Sequence, residues 1–269
     1  AGSDCSGGAG IQADIKTISA LGGYAASAIT AVTVQNTLGV RAVHAIPPEI
    51  VCGQIEAVME DLQPVAVKIG MVNDIQIVHV IADCIRKYSP EHIIYDPVMV
   101  STSGRRKLMT DEAIEEIKKK LLPLVTLVTP NIDEAKVLTG KSIQNTQDML
   151  EAAKQLSDSY QTHILIKGGH LEGDQMCDLL YSPDHTYYIY EEKKIESKNL
   201  HGTGCTLSSA IASYLAKGYS MKDSICHAKE YITHAIIAGK NLNIGHGNGP
   251  LWHFPDSIAQ MCTFCAVVS

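Results

Sequence analysis

The chain has 269 residues, 45% of them apolar and 19% charged, with a formal net charge of -7. This composition excludes a disordered or fibrous chain and is enough to bury the core of one large α/β domain. Its acidic balance, with basic residues scattered except at Lys118, Lys119 and Lys120, excludes nucleic acid and anionic membrane as partners.

No apolar run reaches the roughly 18 residues of a membrane helix, and no leader pattern opens the sequence, so a cytoplasmic protein is expected. Cysteines stand at 5, 52, 84, 177, 205, 226, 262 and 265. Spread mostly singly through apolar runs, they read as reduced thiols and not as a disulfide framework. Cys262 and Cys265 have the spacing of a metal or redox pair but no second pair, so no metal is expected there.

In chain order, a glycine-rich loop over 1–10 feeds a helix with Ile11, Ile15, Ile18 and Leu21 on one side, ended by Gly22 and Gly23. Asp14 lies off that apolar stripe, facing either a site near the loop or solvent. Strands are expected at 25–35 and 39–46; the first ends in Gln35, Asn36 and Thr37, either ligand-binding groups at a strand's carboxyl end or a polar turn.

Pro47 and Pro48 open a helix to residue 62, followed by strand 65–71, helix 74–88, strand 92–98, helix 110–122, strand 124–129, helices 132–139 and 147–158, and strand 163–167. Such alternation predicts a mostly parallel sheet covered on both faces. Segments 176–181 and 187–190, separated by Ser182, Pro183, Asp184 and His185, predict an antiparallel hairpin. Further on come a helix at the motif described next, a helix over 221–240 and a loop rich in Gly, His and Asn over 245–250.

The richest stretch is 199–209. Gly202, Thr203 and Gly204 precede Leu207, Ala210, Ile211, Tyr214 and Leu215, whose spacing is helical, so 202–205 reads as a tight turn opening a helix. The first amides of a helix have no partner within it and carry partial positive charge, which suits phosphate. An ordinary glycine turn before a buried helix is the plainer reading. Cys205 tilts the choice, because a thiol facing free amides is expected to have a lowered pKa.

Other strand ends also deliver polar residues: Asp96 before Pro97, Thr129 and Asn131 with Glu134, and Lys167 before Gly168, Gly169 and His170. Asn131 and Glu134 lie over one helical turn, either as cap and dipole charge or as site residues. Carboxylates, an amide, a lysine before a glycine turn and an anion hole together suggest Mg-nucleotide chemistry.

These motifs, with 1–14 at the loop, 30–37, and Lys68, Ile69, Gly70 and Met71, run in the order of a known family. Over about residues 1–254 the chain resembles the hydroxymethylpyrimidine/phosphomethylpyrimidine kinases of thiamine biosynthesis, within the ribokinase-like superfamily. That resemblance implies a single kinase domain over 1–269, a three-layer ribokinase-like α/β sandwich with a mostly parallel central sheet, helices on both faces and a small antiparallel hairpin.

The implied activity is ATP-dependent phosphorylation of 4-amino-5-hydroxymethyl-2-methylpyrimidine to its monophosphate and then to the diphosphate, with Mg2+. The family's pyrimidine contacts map onto Gly2, Asp14, Thr33, Gln35, Met71 and Val98, together with Cys205. Its nucleotide positions map onto Asn131, Lys167, Thr203 and Gly204, its metal positions onto Asp96 and Glu134, and its catalytic set onto Cys205, Gly202, Gly204 and Lys167. A Gln35 amide suits the ring physically, since it can donate to a ring nitrogen and accept from an exocyclic amine. Thr33 departs from the valine that the family pattern can carry there, and Cys205 replaces the Asp that acts as base in most ribokinase-like sugar kinases.

A homodimer is expected. A pyridoxal or pyridoxine kinase, a catalytically silent ligand-binding module on the same scaffold and a thiol enzyme using Cys205 are the competing readings. Finally, the resembled family runs a short strand into the first loop, whereas residue 1 already reads as loop here; the apolar run 263–268 within 261–269 is expected to fill that strand's place.

Overall fold

Alternating side chains along the strands set the layers of this molecule, whose computed structural model describes residues 1–72, 74–99, 109–169 and 175–255. The strands are β1 (Gly2–Asp4), β2 (Ala31–Asn36), β3 (Gly39–Ala45), β4 (Ala66–Ile69), β5 (His92–Tyr95), β6 (Leu127–Val128), β7 (His163–Lys167), β8 (Gln175–Tyr181) and β9 (Tyr187–Lys193). The helices are α1 (Gly10–Ala20), α2 (Pro48–Asp61), α3 (Ile75–Tyr88), α4 (Asp111–Glu116), α5 (Ile132–Thr139), α6 (Thr146–Tyr160), α7 (Thr203–Ala216) and α8 (Met221–Gly239). A π turn over Ile117–Leu121 and a 3-10 turn over Leu122–Leu124 continue α4.

Strands β4 to β9 form one sheet in sequence order, parallel from β4 to β7 and antiparallel from there to β9. Ile93, Tyr95, Val128, Ile164 and Ile166 pack into a core with α3, α5 and α6, while Ile94, Leu127, Leu165 and Leu180 pack on the opposite face against α7 and α8. Neighbouring residues of one strand thus enter different cores, which is why these strands read as continuous apolar runs. The expected hairpin exists as β8 and β9, and it extends the main sheet instead of standing apart.

Two expectations about the first third change. Strand β2 begins at Ala31, so 25–30 is not strand, and β1, β2 and β3 form a separate three-stranded sheet. Residues 2–4 are strand and not loop: Gly2, Ser3 and Asp4 pair in parallel with Ala31, Val32 and Thr33. The reason is tertiary, since three residues have no strand pattern until a partner backbone lies alongside.

A cavity of about 500 Å³ lies between α1, α2, β4 and residues 25–28, lined by apolar groups such as Ile11, Ile15, Ile18, Val51, Ile55 and Ile85, with Ala1, Asp14 and Lys68 also on its wall. Residues 261–269, expected to supply a strand near this place, lie outside the described residues.

Candidate active site

The turn before α7 is built by close backbone approach. Gly202 caps the helix with φ 89°, in the left-handed region where glycine alone is unstrained. A Cβ there would also collide with the Gly8 carbonyl, and one on Gly8 would strike the His201 ring, so two glycines let the first loop and this turn touch. No side chain caps α7, and its first turn therefore offers backbone amides to an anion.

Beneath that turn lies a charged cluster. Lys167, the last residue of β7, places Nζ 2.8 Å from Asp96 Oδ1, which also accepts from Thr129 Oγ1 at 3.1 Å. A Cβ on Gly204 would sit 3.4 Å from both Asp96 Oδ2 and Lys167 Nζ, so nothing but glycine leaves this space between turn and ion pair open. Burial would raise the Asp96 pKa, but Lys167 and Lys68 outweigh it and hold the carboxyl below its ordinary value.

Asn131 and Glu134 form a reciprocal cap on α5: Glu134 N donates to Asn131 Oδ1 at 2.9 Å and Asn131 N donates to Glu134 Oε2 at 2.8 Å. The capping reading is therefore correct for both. A dipole charge would sit in solvent, whereas Glu134 is only 7% exposed. Burial pushes its pKa up to about 7, opposed by Lys167 and reinforced by Asp96. Two buried carboxylates that repel one another beside an anion hole suit a divalent cation, which Mg2+ meets through one or two carboxylates plus phosphate oxygens and water. Among the described residues no group of three or more His, Cys, Asp or Glu could hold a metal by itself.

Asp14 turns out to face inward. Both its carboxylate oxygens accept from Lys68 Nζ, at 2.9 and 3.0 Å, and Oδ1 also accepts from Ser209 Oγ at 2.8 Å, joining α1 to β4 and α7. Cys205 is held between these pairs, and here the expectation of a lowered thiol pKa is wrong. Burial raises it, with Asp14 and Asp96 adding to the rise and Lys68 and the Gly10 amide opposing it. A helix terminus supplies about 0.3–1 kcal/mol, under one pKa unit, whereas burial moves a group by up to about 3–5 units.

The remaining expected contacts lie on the small sheet and at neighbouring strand ends. A Cβ on Gly2 would be 3.1 Å from Met71 Sδ, so these two are in contact. Thr33 Oγ1 lies 3.0 Å from Ser3 O and 3.2 Å from Gln35 Oε1. Gln35 in turn reaches His201, whose Nε2 is 2.8 Å from Asp4 Oδ2. Val98 is half-buried just beyond Asp96, to whose carbonyl its N–H donates at 2.9 Å. His170 lies outside the described residues.

The structure thus joins Asp96, Lys167 and Gly204, caps Asn131 with Glu134, and links Gln35 to the residue before Gly202. Lys68 and His201 are polar partners at this place to which the sequence assigned no role. A lysine within the apolar β4 and a histidine abutting the glycine turn were the available signals.

Residues 4–252 match the family model of phosphomethylpyrimidine kinase. A hydroxymethylpyrimidine/phosphomethylpyrimidine kinase of Rhizobium meliloti is 47% identical over 255 residues, covering 94% of this chain and 95% of the relative. Among solved structures, a phosphomethylpyrimidine kinase from Clostridium difficile is 46% identical with TM-score 0.78, covering 87% of this chain and 96% of that one. A pyridoxal kinase from Staphylococcus aureus in complex with ADP is 32% identical with TM-score 0.87, covering 96% and 93%. With the sandwich fold, the glycine turn over α7 and a family match spanning nearly its whole length, this chain belongs to the phosphomethylpyrimidine kinases.

Proposed function

We propose that the chain transfers the γ-phosphoryl group of ATP to the hydroxymethyl oxygen of 4-amino-5-hydroxymethyl-2-methylpyrimidine, and then a second phosphoryl group to the monophosphate, yielding the diphosphate used in thiamine biosynthesis. The observation that carries this reading is the Gly204 space, which sets an uncapped helix start over the Lys167–Asp96 pair, with Cys205 beside it.

In this reading the amides of Thr203 and Gly204 and the Lys167 ammonium receive the charge that spreads over the phosphoryl oxygens. Asn131 would lie along the nucleotide, and Asp96 and Glu134 would hold Mg2+, which would neutralise phosphate charge. Gly2, Asp14, Thr33, Gln35, Met71 and Val98 surround the ring, Thr33 by its backbone, since its hydroxyl is turned to Ser3 O and the Gln35 amide. The substrate oxygen forms its bond to phosphorus as the bond to the β-phosphate bridging oxygen breaks, ADP departs, and the hydroxyl proton leaves toward Cys205 or water.

A pyridoxal kinase is the second reading, favoured by the likeness to pyridoxal kinases. Phosphorus NMR of products from MgATP with each alcohol separates the two. Mono- and diphosphate from the pyrimidine are expected; pyridoxal phosphate alone would overturn the assignment.

Val32 and Val34 on β2 and Leu38 in the turn after it stand exposed and offer a face to a second copy, supporting a homodimer. All six described cysteines are free thiols, which supports a reducing, cytoplasmic setting. The apolar character of 263–268 and the apolar lining of the cavity beside β4 support that segment as an inserted strand of a single domain over 1–269.

A further inference from the structure

Asp4 is the anchor of a hydrogen-bonded chain that runs from β1 to the loop before α7. Its Oδ1 accepts from Ser6 N at 2.9 Å and Ser6 Oγ at 2.7 Å, and its Oδ2 accepts from Ala9 N at 2.9 Å. His201 Nε2 stands 2.8 Å from the same Oδ2, both side chains being buried. Burial opposes charge on Asp4, but the bonds from His201 and Ser6 prevail and hold its pKa at about 2, so it is ionised near neutrality. A carboxylate only accepts hydrogen bonds, and His201 therefore carries a proton on Nε2.

Gln35 meets His201 at that nitrogen. Its amide nitrogen lies 3.2 Å from His201 Nε2, while its amide oxygen lies 3.2 Å from Thr33 Oγ1, which is 3.0 Å from Ser3 O. An amide NH2 only donates, so two donors face one another across the first of these contacts. The two ends of a glutamine amide have nearly the same shape, and a half-turn about the last side-chain bond changes no packing.

After that half-turn every group is matched. The Gln35 oxygen accepts from His201 Nε2–H, shared with Asp4; its nitrogen donates to Thr33 Oγ1; and Thr33 keeps its own proton for Ser3 O.

We propose that Asp4, His201 and Thr33 are positioning residues that lock the Gln35 amide with its oxygen toward His201 and its nitrogen toward Thr33, setting the order of donor and acceptor shown to the substrate ring. The lock rests on the reading of Gln35 as a ring contact. A ring that pairs through an exocyclic amine beside a ring nitrogen needs acceptor and donor side by side in a set order. The same ring without the amine still needs the donor but not the acceptor, and so gains less from that order. The lock therefore acts on discrimination between those two ligands and leaves nucleotide binding alone.

A double-mutant cycle tests it. Dissociation constants are measured for the aminopyrimidine alcohol and for its analogue lacking the amine, in wild type, Thr33→Val, His201→Leu and Gln35→Ala, and in each double variant with Gln35→Ala. Thr33→Val and His201→Leu are each expected to reduce the preference for the amino compound by about five- to tenfold, the loss of one hydrogen bond, with affinity for ATP unchanged. Thr33→Ser and His201→Gln, which restore a hydroxyl and a donor at the Nε2 position, should recover most of it. In the Gln35→Ala background neither substitution should change the preference further.

Effects that persist in full in that background, or a Thr33→Ser variant that behaves as Thr33→Val, overturn the lock while Gln35 remains a ring contact. A Gln35→Ala variant with wild-type preference overturns the reading of Gln35 itself and the lock with it. Should His201→Leu fail to fold, the Thr33→Val cycle decides alone, since that change keeps the side-chain shape.

Discussion

A thiol whose ionisation is opposed by burial makes a slow base at neutral pH, and this shapes what Cys205 can contribute. With its pKa raised above the ordinary 9.0, its thiolate fraction grows about tenfold for each pH unit from 7 to 9. If Cys205 takes the substrate proton, wild-type turnover rises over that range. The Cys205→Asp variant should stay active with a flatter profile, and Cys205→Ala should lose about two orders of magnitude in turnover. An alanine variant with normal turnover would leave catalysis to the amides and charges alone. Glu134 calls for a different measurement, because its carboxylate is both cap and proposed magnesium ligand. Glu134→Gln keeps an oxygen for the Asn131 amide but removes the charge, so the magnesium concentration for half-maximal rate should rise about tenfold or more while pyrimidine affinity is kept. An unmoved magnesium titration would confine Glu134 to capping.

At the scale of the element, α7 depends on two glycines for different reasons. Gly202 needs its φ of 89° and its contact with Gly8, so Gly202→Ala is expected to cost stability, with Tm falling by several degrees. Gly204 lies inside the first helical turn, where alanine is the better helix former. Its added methyl would stand 3.4 Å from Asp96 Oδ2 and Lys167 Nζ, an ordinary contact. Gly204→Ala should thus melt within about 2 °C of wild type and yet lose at least about tenfold in turnover, because the methyl occupies the phosphate's space. Turnover preserved in Gly204→Ala would place the transferring phosphate elsewhere. The pair separates a backbone role from a site role on one helix.

For the whole molecule, the open question is the apolar cavity beside β4. Exposed apolar lining costs roughly 25 cal/mol per Å², so a strand seated there would add several kcal/mol to stability. Deleting 261–269 is accordingly expected to lower Tm by more than about 5 °C and to reduce turnover, since Ala1 on the cavity wall runs directly into β1, which carries Gly2 and Asp4. A truncated chain that melts at the same temperature and works at the same rate removes this segment from the sheet.

Much of this protein was determined by local sequence. The strand and helix order from 48 to 240, the glycine turn before α7 and the α5 cap are short-range, set by apolar periodicity and by residues within a few positions of one another. The strand-end polar residues were equally visible, because Asp96, Asn131 and Lys167 each interrupt an apolar run. Tertiary structure decided the rest. Residues 2–4 are strand only because Ala31–Thr33 lie beside them. Asp14 faces inward only because Lys68 and Ser209 meet it from β4 and α7. The Cys205 thiol is disfavoured as an anion because burial, a property of everything packed around it, outweighs the helix start that its own neighbours supply. Periodicity tells which face of an element is buried, but not which distant charge waits there, and it is those charges that set the protonation and the orientation of the groups at the site.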